Sequence, residues 1–350
     1  MQNSARATHN KIDILMKILP ILAFLIPMLM LYFLDPPSFE ATWKGRTFYI
    51  FFIWLASLEI IMSWEKLAPK VKKLASARNA MFIIALLLPT AYVVVSSYGG
   101  VNTAIAEWAH ANSIAWYNWM PLSTEYLVLA TLFALLMWSE YGSAGLKDSA
   151  ISSLFLATIG IIYTIDNLYP YASFTPFQVL VPATSTLAAN FLSLMGYRTS
   201  FLNSQIPGAP LLQVQSGNGV STALSIAWPC SGVESLLIYT VTILLFLKRS
   251  TVTWTRRIIY FAIGAIVTYF INILRIATIF IIQINTGGGN TLTPQAEEFH
   301  SLYGQLYSIA WILSYPLIIV GSQLLWSKVK NWRDGRNLRA QVISPPSLPS

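Results

Sequence analysis

Residues 258–282 read Ile-Ile-Tyr-Phe-Ala-Ile-Gly-Ala-Ile-Val-Thr-Tyr-Phe-Ile-Asn-Ile-Leu-Arg-Ile-Ala-Thr-Ile-Phe-Ile-Ile, a run whose one charge is Arg275. About 20 apolar residues of helix cross the roughly 30 Å hydrocarbon core of a bilayer. A soluble helix of that length would carry a polar face, which this one lacks. Working outward, comparable runs lie at 14–34, 47–64, 79–96, 123–139, 149–165, 229–247 and 306–326. Backbone groups in lipid must be paired within the segment, so these runs are expected to be helices. The expected fold is an all-α polytopic membrane protein of about eight transmembrane helices.

Composition agrees with that reading. Hydrophobic residues make up 55% and charged residues 10% of the chain, against about 25% charged in an ordinary soluble domain. The charges collect between the apolar runs. The first run is interrupted by Pro20 and Pro27 and is followed by no small-residue cleavage site, so it reads as a span and not as a cleaved signal peptide.

The net charge of +8 reflects topology, not a nucleic-acid-binding face. Basic residues cluster at Arg6, Lys11 and Lys17, in the loop from Lys66 to Arg78, from Lys248 to Arg257, and from Lys328 to Arg339. By the positive-inside rule all four clusters are cytoplasmic, as are both termini. With Lys147, 18 of the 22 basic residues lie inside, leaving Lys44, Arg46, Arg198 and Arg275 elsewhere. An even number of crossings must then separate the loops 65–78 and 248–257. Five candidates lie between them when 177–195 is included, and that segment, with Pro182 and several Ser, Thr and Asn, is expected to be re-entrant or interfacial. The alternative is a sixth crossing near 103–120, whose Trp108, Trp116, Tyr117 and Trp119 read better as an interfacial belt.

The domain organisation follows. Residues 1–195 form an N-terminal transmembrane bundle, and 196–228 an outer loop. Residues 229–326 form a second transmembrane core, and 327–350 a basic cytoplasmic tail that reads as disordered. In the outer loop, Leu212 and Val214 alternate up to Ser216-Gly217-Asn218-Gly219 and resume at Val220 and Thr222, the pattern of a small extracytoplasmic β-hairpin. It leads directly into Trp228-Pro229-Cys230.

Cys230 is the sole cysteine, so any thiol chemistry is its own and no internal disulfide forms. Pro229 suits a first helical turn, which would place Cys230 at a helix N-terminus, where the dipole favours a thiolate. Ser231 and Gly232 are small enough for a peptide to approach. Arg275 lies seven residues before the end of its apolar run. At 1.5 Å per residue that is about 10 Å below the outer end. An intramembrane arginine costs about 2.5–3.5 kcal/mol and marks a functional site by default. Asn272, three residues earlier, shares its helix face and is expected to orient it. His300 follows a helix start at Thr293-Pro294, with Gly304 on the same face allowing close packing beside it. His110 is a rival outer histidine. Glu234 reads either as a satisfied polar core residue or as a partner of Cys230. Cys230, Arg275 and His300 fall on three consecutive helices with their chemistry on one side of the membrane. Such a set can run acyl transfer by thiol attack, oxyanion stabilisation and proton movement, with Arg275 and His300 able to exchange the last two roles.

Pro229-Cys230-Ser231-Gly232, Asn272-Ile273-Leu274-Arg275 and His300-Ser301-Leu302-Tyr303-Gly304, together with the hairpin before them, resemble the archaeosortase/exosortase family of membrane cysteine transpeptidases. The likeness covers mainly residues 210–325 and is nearest to the archaeal members, the thaumarchaeal subtype among them. It implies Cys230, Arg275 and His300 as catalytic residues. It also implies partners that are secreted proteins carrying a C-terminal sorting signal, made of a short motif, a transmembrane helix and a basic end. Cleavage would be coupled to transfer to a lipid or surface acceptor. No cofactor is expected. Three histidines and no His-Glu-x-x-His pattern leave no metal site. Glu297-Glu298 lacks the arginine of prenyl-protein proteases, since position 302 is leucine, and Gly287-Gly288-Gly289 has no following Lys-Ser/Thr for a phosphate. The rival class is a transporter binding an anionic substrate through Arg275. A non-catalytic assembly factor, third in order, would tolerate Cys230→Ser.

Overall fold

A computed structural model describes residues 2–41, 43–67, 77–169, 174–206, 208–250 and 252–343. The longer helices among them are α1 (Gln2–Leu34), α2 (Thr47–Met62), α3 (Ala77–Tyr98), α4 (Val101–Ala111), α5 (Met120–Asp148), α6 (Ala150–Leu168), α7 (Val181–Leu194), α8 (Val233–Arg249), α9 (Trp254–Asn285) and α10 (Gly304–Ile343). Among the described residues seven helical stretches are long and apolar enough to cross a membrane: Ile14–Leu34, Ala80–Tyr98, Tyr117–Asp148, Ala150–Leu168, Pro176–Leu194, Trp254–Asn285 and Pro294–Gln323. The expected spans 47–64 and 229–247 form helices of 16 and 17 residues. The protein is a polytopic helical membrane protein with one small sheet.

The sheet is β1 (Arg198–Leu202), β2 (Leu211–Gln215) and β3 (Ser221–Ser225), antiparallel in the order β1-β2-β3. The expected hairpin is β2-β3, with Val214 opposite Thr222 and the turn closed by Ser216 N–H on Val220 C=O. The third strand, β1, pairs with β2 from Arg198–Gln215 to Leu202–Leu211.

Among the described residues three larger apolar cores divide the molecule, beside a small one at Ala109, Ile114 and Met120. The first joins α1, α2, α3, α5 and α6 around Phe24, Phe52 and Phe133, whose rings meet edge to face. Pro20 and Pro27 lie inside α1 without ending it, as transmembrane bundles tolerate. A third core packs α8, α9 and α10 through Tyr239, Ile243, Ile312 and Tyr315. Between them in sequence, the second core joins α7, the sheet and the last part of α9 through Ala188, Leu192, Leu212, Val214, Ile276 and Phe280.

The cores also locate Arg275 along α9. Helix α9 continues to Asn285, ten residues past it. Arg275 lies 21 residues from Trp254, about 31 Å along the helix and close to a full hydrocarbon thickness. The side chain therefore sits where the bundle gives way to the sheet-bearing cap.

Lys17, Lys147 and Lys248 gather at the opposite end of the bundle. Lys17 Nζ donates to the Trp64 carbonyl at 2.8 Å. Lys248 Nζ donates to the Lys147 carbonyl and lies 3.6 Å from Glu59, and Glu59 accepts from the Ser152 N–H and hydroxyl at the start of α6. Residues 103–120 form no crossing: α4 has 11 residues, about 16 Å of helix. The tail expected to be disordered continues as helix to Ile343. Residues 68–76 of the expected basic loop fall outside the described residues, as does the tail after 343.

Candidate active site

Cys230 does not cap a long helix. Trp228–Ser231 is a single 3₁₀ turn, and Gly232 follows in the left-handed region at φ 95°, so α8 begins only at Val233. The expected dipole argument therefore applies to Gly232 and not to the thiol. Only glycine adopts this backbone without cost, and a Cβ there would also stand 3.0 Å from Asn272 Nδ2. The role expected for Ser231 and Gly232, leaving room for a peptide, is not theirs. Ser231 is fully buried, its hydroxyl donates to the Trp228 carbonyl at 2.6 Å, and its own carbonyl accepts from Thr184 Oγ1 at 2.9 Å.

Three elements meet at the thiol. Cys230 Sγ lies 3.7 Å from His300 Nε2. His300 sits in a π-helical turn, Phe299–Tyr303, between the short helix Pro294–Glu298 and α10. Such bulges re-aim side chains and recur at functional sites. Arg275 Nη2 donates to the His300 carbonyl at 2.9 Å. The Arg275 Nε–H is buried without a hydrogen-bond partner, as is Glu234 Oε1 in the first turn of α8. Unpaired buried polar groups are costly and call for an explanation.

Two supporting residues serve other partners than expected. Asn272 donates from Nδ2 to the Cys230 carbonyl at 3.0 Å and so holds the cysteine turn, not Arg275. Gly304 packs on Arg275, not on His300: a Cβ there would lie 2.8 Å from Arg275 Nε and 2.9 Å from its Cγ. His110 is exposed, edge-on to Tyr117 at 4.7 Å between ring centres. Beside the thiol and the imidazole opens a cavity of about 130 Å³, lined otherwise by Leu224, Ser225, Ile226, Ile276, Ile279, Phe280 and Leu292. Among the described residues no cluster of His, Cys, Asp and Glu is suited to a metal ion.

The family model described as transmembrane exosortase matches residues 43–317. The chain belongs to the transmembrane exosortase family. No curated protein and no solved structure matches it. The match begins well before the motif-bearing helices, and this exosortase-family chain ties its N-terminal bundle directly to the cysteine turn.

That tie was not read from the sequence. Trp228, two residues before Cys230, donates its indole N–H to Asp166 Oδ1 at 2.8 Å. Asp166 Oδ2 pairs with Lys44 Nζ at 2.9 Å, and the ammonium stands 3.4 Å over the Trp116 ring. The Trp228 ring is clasped between Trp43 and Phe177, at 4.4 and 4.5 Å between centroids. Burial drives the Lys44 pKa down from 10.5 to about 8, with Asp166 opposing the shift. Next to it, Arg46 grips Glu125 with two bonds of 2.8 and 2.9 Å and reaches Asp35 at 2.9 Å. Desolvation opposes the Arg46 charge, but the Glu125 carboxylate outweighs it, and the pKa moves up. The signal available in the sequence was the pair of basic residues outside the inner clusters, Lys44 and Arg46, set against acidic residues inside apolar runs, Glu125 and Asp166.

Proposed function

We propose that the chain is a membrane cysteine endopeptidase and transpeptidase. It cuts the C-terminal sorting signal of exported proteins and passes the new acyl group to a lipid or cell-surface acceptor. The observation that carries this reading is the sole thiol, 3.7 Å from an imidazole nitrogen, a separation that tightens readily once substrate binds.

His300 takes the thiol proton as Sγ attacks the scissile carbonyl carbon, and the carbonyl electron pair moves onto oxygen. The tetrahedral intermediate collapses with cleavage of the C–N bond, and His300 returns the proton to the departing amine. A hydroxyl or amine of the acceptor, or water, then attacks the thioester and gives its proton to His300. The C–S bond breaks and the sulfur recovers that proton. Arg275 holds the His300 backbone, and its cationic group is at hand for the oxyanion. Asn272 fixes the turn that carries the nucleophile.

The gathering of Lys17, Lys147 and Lys248 at the far end supports a non-cytoplasmic site with cytoplasmic termini. A sorting signal with a transmembrane helix and a basic end would lie in the same sense, its cleavage point level with Cys230. Segment 177–195 fits a re-entrant element in this arrangement. Thr184 bonds Ser231 and Tyr269, and Met195 shares a cleft with Ile284 and Gly287, so α7 rises beside the distal part of α9.

The test is processing of a tagged substrate in cells carrying wild type, Cys230→Ala, Cys230→Ser, Arg275→Ala or His300→Ala, with membrane insertion measured in parallel. Wild type shortens the substrate and the inserted Cys230 variants leave it intact. Normal processing by both Cys230 variants would refute the reading and turn attention to anion transport through Arg275.

A further inference from the structure

We infer that the cavity beside Cys230 is the subsite for the side chain of the residue whose carbonyl the thiol attacks, and that it selects an apolar side chain of leucine or isoleucine size. This rests on the thiol-enzyme reading and gives it a substrate preference.

The cavity shares its wall with both reacting groups, since Cys230 and His300 line it together with Ile276, Phe280 and Leu292. A side chain two bonds from the attacked carbon has this space as its nearest free volume. Apart from Ser225, His300 and the thiol, the lining residues have hydrocarbon side chains. A carboxylate or ammonium would be stripped of water there without a compensating partner. The volume of about 130 Å³ is close to that of an apolar cavity of roughly 150 Å³ that takes up benzene. A branched four-carbon side chain fits and an indole does not.

The strand beside the cavity suits an extended peptide. Ile226 N–H donates to the Pro210 carbonyl at 3.0 Å, on the β2 side. Backbone groups alternate along an antiparallel strand, so Ser221, Ala223 and Ser225 turn theirs to the other edge. The Ser221 carbonyl does so, accepting from Gly289 N–H at 3.0 Å. Among the described residues the one pairing on that edge is Thr222 with Gly289, and the exposed Ser225 lies at the cavity mouth.

The test uses the detergent-solubilised full chain and peptidyl chloromethyl ketones that differ only in the residue beside the warhead: Gly, Leu, Glu or Trp. Covalent labelling is read by intact mass, which is unambiguous with one cysteine. The leucine probe should label Cys230 ten- to hundred-fold faster than the glycine probe, the range expected for burying such a side chain, and the glutamate and tryptophan probes more slowly than leucine. Leu292→Trp, at a partly exposed position on the cavity wall, should fill the space and abolish the leucine advantage over glycine. Iodoacetamide, which has no side chain to place, reports on the thiol alone. If it labels Cys230 at a rate that His300→Ala lowers, but the four peptidyl probes react equally, the subsite is wrong and the nucleophile stands. If iodoacetamide labelling is indifferent to His300→Ala, the thiol-enzyme reading fails and the subsite with it.

Discussion

Replacing Asp166 by asparagine should destabilise the protein by an amount that grows as the pH falls. Lys44 and Asp166 form a pair 2.9 Å long with side chains 2% and 7% exposed, and the Lys44 pKa is pushed down to about 8. A lysine whose folded pKa lies below its unfolded value opposes folding while charged. That penalty is full below pH 8 and relaxes as the pH rises from 8 toward 10.5. Without the carboxylate the folded pKa falls further, but the ammonium can escape by losing its proton. The added cost is therefore capped at that of deprotonating a group of pKa about 8, roughly 1.4 kcal/mol for each pH unit below it. Asp166→Asn should lose almost nothing at pH 9, about 1.4 kcal/mol at pH 7 and up to about 2.7 kcal/mol at pH 6. The ceiling is the roughly 3–5 kcal/mol of a broken buried ion pair. The asparagine carbonyl can still accept from the Trp228 indole. Asp166→Leu cannot, and adds a pH-independent loss of about 1–3 kcal/mol. Thermal unfolding followed by tryptophan fluorescence in detergent, at the three pH values, measures the slope. Lys44→Met combined with Asp166→Asn should remove it. A loss of equal size at pH 6 and pH 9, or a slope that survives in the double variant, would refute the reasoning.

Other substitutions test the remaining supports. Gly304→Ala should raise helix propensity by up to about 1 kcal/mol yet displace Arg275, whose Nε and Cγ would lie 2.8 and 2.9 Å from the new Cβ. The expected result is a ten-fold or greater loss of substrate processing with little change in melting temperature. Asn272→Leu should free the Cys230 carbonyl, costing about 1–3 kcal/mol of stability and slowing iodoacetamide labelling, while Asn272→Gln restores neither because its amide is displaced by one methylene. Arg46→Lys should lose the two-bond grip on Glu125 and lower the melting temperature without altering the ranking of probes at Cys230.

Much of the site was legible because chemistry-bearing residues stand out against an apolar background. Arg275 in a run of isoleucines, and one cysteine in the whole chain, are anomalies that need no structure to find. Their partners were harder to read, because partner choice depends on backbone direction and not on spacing alone. Asn272 shares a helix face with Arg275, but the left-handed Gly232 turns the Cys230 carbonyl toward it, and that bond wins. Gly304 shares a face with His300 until the π turn at Phe299–Tyr303 shifts the register by a residue and brings Arg275 across it. Strand β1 escaped notice because its burial does not alternate: four of its five residues are exposed, so no period-two pattern marks it.

The Lys44–Asp166 pair shows a further limit and also how to lower it. The two residues are 122 positions apart, and no local pattern joins them. Yet a charge inside an apolar run is expensive wherever it lies, and each must find an opposite charge or a polar end of the bundle. By the end of the bundle they approach, Glu59 falls with Lys248, and Glu125 and Asp166 fall with Arg46 and Lys44. That pairing accounts for why residues far from the cysteine motif belong to the same functional unit. Trp228 is held beside the Cys230 turn by its bond to Asp166, and Asp166 is oriented by a lysine in the loop between the first two long helices. The N-terminal bundle is therefore tied to the turn that carries the thiol, which is why a chain shortened to residues 210–325 should keep Cys230, Arg275 and His300 and still fail to label at the wild-type rate.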